Sequence, residues 1–159
     1  MAVTAMYTLL EKTIAELNRF LIVLSNERKT LVSAETGQLP TLTEEKSALA
    51  TRLATLELQR KDQLRNAGFT TDRAGMEVFF SAQPDNPTHA QTQSLWGKLL
   101  ILTAKVKQEN DLNGTLISAR LQQNQQALNS LLGELADANT YDAEGQQKPV
   151  AGRRPLGSA

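Results

Sequence analysis

The stretch Ser94–Leu135, SLWGKLLILTAKVKQENDLNGTLISARLQQNQQALNSLLGEL, decides how this chain folds. Its inward positions are Leu95, Leu99, Leu102, Val106, Asn110, Asn113, Ile117, Leu121, Asn124, Leu128, Leu131 and Leu135. Steps of three and four residues are the period of one helix face. The spacing continues through Gly114 with no proline or capping signal nearby, which predicts one helix from about 88 to 138. Two consecutive four-residue steps occur around Val106 and again around Ile117. Such stutters locally unwind a left-handed supercoil, so the first half of the helix should pack on its neighbours and the second half drift off them.

Asn110, Asn113 and Asn124 are the unexpected members of this face. A buried amide costs roughly 1–3 kcal/mol unless a partner satisfies it. Two purposes would repay that: fixing which helices pair and in what register, or keeping a face for another molecule. A third reading makes Asn113-Gly114 a turn that splits the helix in two.

Working outward, Val3, Tyr7, Leu10, Ile14, Leu17, Leu21, Leu24 and Leu31 form a heptad seam with Arg28 in its one broken slot. This predicts a first helix over about 3–36, roughly 50 Å long at 1.5 Å per residue and in need of a partner along its length. Gly37 and Pro40 mark a stop and a new start. A second seam, Leu42, Lys46, Leu49, Leu53, Leu56, Arg60 and Leu64, predicts a helix over about 40–67 that Gly68 ends. Thr41 with Glu44 has capping-box spacing, and Thr41 or Thr43 is the expected cap. The short connection predicts an antiparallel hairpin.

Residues 70–87 break the pattern. The expectation is a loop with a short helix near 72–80, whose Met76, Val78, Phe79 and Phe80 plug the end of the hairpin. The third helix is roughly 75 Å long against roughly 40 Å for the second, so its last turns should lack a full-length partner within the chain. Leu128, Leu131, Leu132 and Leu135 would then be partly exposed, and contiguous exposed apolar surface marks interaction sites.

The fold class is therefore all-α: an elongated antiparallel bundle, a coiled coil of three long helices with a short helix before the third. One helical domain over 1–138 and a flexible C-terminal tail over 139–159, rich in Gly, Pro and Ser, complete the expected organisation.

Composition narrows the function. Seventeen basic and seventeen acidic side chains are evenly spread, without the concentrated Lys and Arg that track phosphates, so nucleic acid is not an expected partner. The chain has no cysteine, which removes disulfides and thiolate metal sites and suits a reducing cytoplasm. Met1–Met6 carries no positive charge, and the apolar run Phe20–Leu24 is far short of the ~20 residues that span a bilayer, so no secretion signal or membrane insertion is expected. His89 beside Pro87 reads as a solvated loop residue without a second metal ligand. No paired carboxylates, phosphate loop or nucleophile elbow is present, so neither an enzyme nor a cofactor is expected.

Three runs together resemble the FlgN-type flagellar export chaperones: Asn110-Asp111-Leu112-Asn113-Gly114-Thr115-Leu116-Ile117, then Asn124-Gln125-Gln126-Ala127-Leu128, then Tyr141-Asp142-Ala143-Glu144-Gly145-Gln146. Thr43-Glu44-Glu45-Lys46-Ser47 and Leu56-Glu57-Leu58-Gln59-Arg60 look like that family's second helix. The resemblance covers nearly the whole chain in order. It implies a cytosolic chaperone of flagellar type III export, with the C-terminal segments of the two hook-filament junction proteins as clients. The family's client-binding region maps onto Asn110, Asn113, Gly114, Leu116, Ile117, Leu121, Asn124, Leu128, Leu131, Leu132 and Leu135. The tail tyrosine that docks at the export gate's cytoplasmic platform maps onto Tyr141. The alternative is a structural coiled-coil protein that self-associates through the same seam, and the free chain is expected as a monomer or a weak homodimer.

Overall fold

A computed structural model describes residues 2–33, 35–82 and 87–138. Tyr141 lies outside the described residues. Four helices follow in order: α1 Ala2–Val32, α2 Leu39–Asn66, α3 Arg73–Ser81 and α4 His89–Ala138. The described residues are all-α, with three long helices and the short one ahead of the last. α4 is one continuous helix through Gly114, which settles the Asn113-Gly114 turn against a break.

Two compact units divide the chain, Met1–Leu116 and Ile117–Ala159, with the boundary inside α4. In the first, α1 and α2 pack antiparallel, as the Glu27–Lys46 and Glu16–Arg52 ion pairs at successive levels require. The α4 residues of this unit run beside α1 in the same direction: Leu99 shares a core with Val3 to Leu17, and Asn113 reaches the carbonyl of Leu24.

The core forms two clusters. One joins Val3, Met6, Leu10, Ile14 and Leu17 of α1 to Leu64, Met76, Phe79, Phe80 and Leu99. The other joins Phe20, Val23 and Leu24 to Leu42 and Leu49. A single heptad seam is too narrow for α1, which meets α2, α3 and α4 at once. Met6, Leu9, Phe20, Val23, Glu27 and Thr30 are buried beside the expected positions, while Tyr7 and Leu21 are only half-buried. The α2 seam holds better: Leu42, Leu49, Arg60 and Leu64 are buried, and Lys46, Leu53 and Leu56 half-buried.

Helix ends correct several expectations. α1 stops at Val32, four residues short of the expected end. α2 opens at Leu39 with Pro40 in its first turn, where the fixed φ of proline suits a helix start. The Thr41 capping box does not form: Gln38 holds the cap position without a side-chain bond, and the Thr43 hydroxyl donates to the Leu39 carbonyl at 2.9 Å. At the other end Gly68 adopts φ +82°, and Phe69 N–H to Leu64 O with Gly68 N–H to Arg65 O closes a Schellman motif.

α3 plugs the end of the hairpin with Met76, Phe79 and Phe80, all buried, whereas Val78, expected beside them, is exposed. His89 is not a solvated loop residue: it opens α4, stands edge-on to the Phe80 ring and donates from Nε2 to the Phe80 carbonyl. Gly75 is required here because a Cβ would sit 1.7 Å from the Thr70 carbonyl oxygen. Asp72 caps α3 by accepting from the Gly75 N–H at 2.9 Å and from the Thr70 hydroxyl at 2.7 Å. The Thr70 hydroxyl first, then the Gly75 N–H, hold the Asp72 carboxyl below its ordinary range. A carboxyl depressed in the folded state stabilises above its unfolded pKa and loses that contribution as pH falls through the folded value. The urea midpoint of the wild-type chain is therefore expected to fall more steeply on acidification than that of Asp72→Asn, which caps without titrating. Parallel pH profiles would show that the cap is not a carboxylate contribution.

Candidate functional site

The first unit gathers several polar side chains from three helices at one level. Glu27 of α1 is buried, and Lys46 of α2 donates to both its carboxylate oxygens, at 3.1 and 3.2 Å. Asn113 of α4, fully buried, donates from Nδ2 to Glu27 Oε1 at 2.9 Å and to the Leu24 carbonyl at 2.8 Å. Its Oδ1 accepts from Arg28 Nε at 3.1 Å, and Arg28 Nη2 also pairs with Glu109. Every polar atom of the Asn113 side chain is thus used within the chain. A polar layer satisfied in this way ties three helices at one register, because a slip by one turn would leave Glu27 buried without donors.

Asn110, three residues earlier and of the same type, is exposed. It lines a mostly apolar pocket of about 370 Å³ among α1, α2 and α4, with Leu17, Phe20, Leu56, Leu99 and Val106 in its walls. Arg60 closes one side: Nε and Nη2 donate to the two oxygens of Glu57 at 2.8 and 2.7 Å, Nη2 donates to the Thr71 carbonyl at 2.9 Å, and the guanidinium stands 5.3 Å from the Trp96 ring centre. Burial pushes the Glu57 carboxyl up, but the bonds from Arg60 and the charges of Arg60 and Lys61 outweigh it and leave it lowered. Gly114 is exposed with open space where a side chain would stand, and Leu116 is half-buried.

The second unit presents the opposite arrangement. Ile117, Leu121, Asn124, Leu128, Leu131 and Leu135 recur in steps of four and three along α4, and all are exposed, Leu121 to 64% and Leu128 to 47%. Leu132, beside this stripe, is exposed as well. An isolated exposed leucine needs no explanation, but five leucines and an isoleucine in one helical segment form the kind of surface that another molecule covers. No helix of the described residues is long and apolar enough to cross a membrane. The described residues also hold no cluster of three metal-ligating side chains.

The family model described as FlgN protein matches residues 1–149. The chain belongs to the FlgN family. The chain is also similar to the flagella synthesis protein FlgN of Escherichia coli strain K12, 28% identical over 145 residues that cover 90% of each chain. No solved structure matches this FlgN-family chain. The matched span takes in both the polar layer around Asn113 and the leucine stripe.

The client-region residues inferred from the sequence thus have four different environments. Ile117, Leu121, Asn124, Leu128, Leu131, Leu132 and Leu135 are exposed in the second unit, Asn110 and Gly114 are exposed in the first, Leu116 is half-buried and Asn113 is sealed. Sequence reasoning missed Glu27 and Arg28 as partners of Asn113, and Glu109 as a partner of Arg28. The usable signal was charge: Arg28 and Lys46 occupy seam slots, and a charge on an inward face requires an opposite one across from it.

Proposed function

We propose that this chain is a flagellar export chaperone that binds the C-terminal segments of the hook-filament junction proteins, keeps them from premature association and delivers them to the export gate. Membership of the FlgN family over residues 1–149 carries the reading. The exposed stripe Ile117–Leu135 supports helix-on-helix capture: an amphipathic client segment laid along it buries its own apolar face against the leucines. Burial of one leucine is worth about 1.5–3 kcal/mol, so a few of them, less the cost of ordering the client, reach affinities that still permit release. Asn113 is assigned a positioning role, holding α4 in register from within the first unit rather than touching client. Tyr141 is assigned to docking at the gate's cytoplasmic platform, and the compartment is the cytoplasm.

The test mixes the full chain with the C-terminal segments of the junction proteins and follows mass by light scattering at several concentrations. A one-to-one complex is expected, and Tyr141→Ala should retain it while lowering export in cells. A stable homodimer that ignores these segments would instead establish the self-associating coiled coil. Loss of client binding in Tyr141→Ala would move Tyr141 from gate docking to client capture.

A further inference from the structure

We infer that the pocket among α1, α2 and α4 in the first unit is a second docking site, for an amphipathic helix of a partner protein that carries an acidic residue one turn from its apolar anchors. The floor is apolar, with Leu17, Phe20, Leu56, Leu99 and Val106, and about 370 Å³ is room for aliphatic side chains rather than for a single water. Three helices surround it, so a fourth laid across its mouth, with its anchors inserted, completes a bundle of the usual kind.

Charge selects the occupant. The ionisable residues of the wall are Glu57, Arg60 and Lys107, two cations against one anion. Glu57 is already shared by Arg60 and Lys61. Among the described residues no carboxylate lies within ion-pair distance of Lys107, and Arg60 Nη1 is buried without an acceptor. The cation of the wall that an occupant reaches is Lys107, which is exposed, so an acidic side chain beside the apolar anchors has a partner there. A helix with leucine or methionine anchors and a neighbouring Asp or Glu meets both the apolar floor and the cationic excess, whereas a basic helix is repelled. The site is distinct in residues and in charge from the leucine stripe, and it does not depend on the client assignment.

The probe is a synthetic helix of about 20 residues with leucines at three- and four-residue spacing and glutamates one turn along the same edge. It is titrated into the isotope-labelled full chain and followed by amide NMR shifts. Saturable shifts are expected at Leu56, Leu99 and Val106. Replacing the peptide glutamates with lysine should weaken binding about 10-fold or more, since attraction is exchanged for repulsion. Lys107→Glu should reverse that preference. Thr103→Trp, which introduces bulk at an exposed lining position, should block the pocket. Should Thr103→Trp fail to fold, the charge reversal at Lys107 decides alone. Equal affinity for acidic and basic peptides, absence of saturable binding, or shifts confined to Ile117–Leu135 would overturn the proposal. Concentration-dependent shifts at the pocket without peptide would overturn it in favour of a second copy.

Discussion

Leu128→Asp combined with Leu131→Asp is expected to lower the affinity for the junction-protein segments by about 100-fold or more, with helical circular dichroism unchanged. The size follows from burial: two leucines contribute roughly 3–6 kcal/mol before ordering costs, and the aspartates would have to be desolvated in their place. A 100-fold loss corresponds to about 2.7 kcal/mol, within that range. Both leucines are about half exposed, so the free chain surrenders little packing and its melting temperature should shift by only a few degrees. Calorimetric titration of wild type and variant with the same segment makes the comparison. Unchanged affinity in a helical variant would remove the stripe from the client site while leaving family membership untouched.

Asn113→Leu is expected to destabilise the chain by about 2–4 kcal/mol although it replaces a buried polar residue with an apolar one of similar size. A neutral hydrogen bond contributes about 1 kcal/mol and one to a charged group about 1.5–3 kcal/mol. Asn113 donates to the carboxylate of Glu27 and accepts from the guanidinium of Arg28. Glu27 retains Lys46, and Arg28 is partly solvated, so the loss stays below the full sum. Urea unfolding of wild type, Asn113→Leu and Asn113→Leu with Glu27→Gln separates the contributions. The second change should return part of the stability, because a neutral amide is less costly to leave under-bonded than a carboxylate. Wild-type stability in Asn113→Leu would show that the polar layer does not hold α4.

The difference between Asn110 and Asn113 shows where a periodic reading runs out. Both fall in the apolar rhythm of α4, yet three residues at 3.6 per turn leave them about 60° apart around the axis. One residue is fully buried and the other reaches solvent beside a pocket. A stutter moves the centre of the packed face around the helix, and only the positions of α1 and α2 decide which side of the shift is buried. The cap of α2 failed for a related reason. Thr41 and Glu44 have suitable spacing, but Pro40 starts the helix early and places both inside its first turns.

The aromatic plug was partly legible. Met76, Phe79 and Phe80 lie on one face of a short helix and are buried, whereas Val78 lies on the other. Gly75 gave no signal in the sequence, since its need comes from the Thr70 carbonyl five residues back along a turn that no periodicity describes.

The residues by themselves determined three long helices and one short one, the antiparallel order of the first two, and the leucine stripe of the last. These depend on spacing, proline, glycine and helix propensity, which act within a few residues along the chain. Tertiary structure alone decided that Glu27, Lys46, Arg28, Glu109 and Asn113 form one polar layer, that Arg60 keeps an unmatched donor at an apolar pocket, and that Asn110 reaches solvent. Burial and hydrogen bonding at those positions depend on the distance to residues as many as 89 places away in the sequence, a quantity that no local pattern contains.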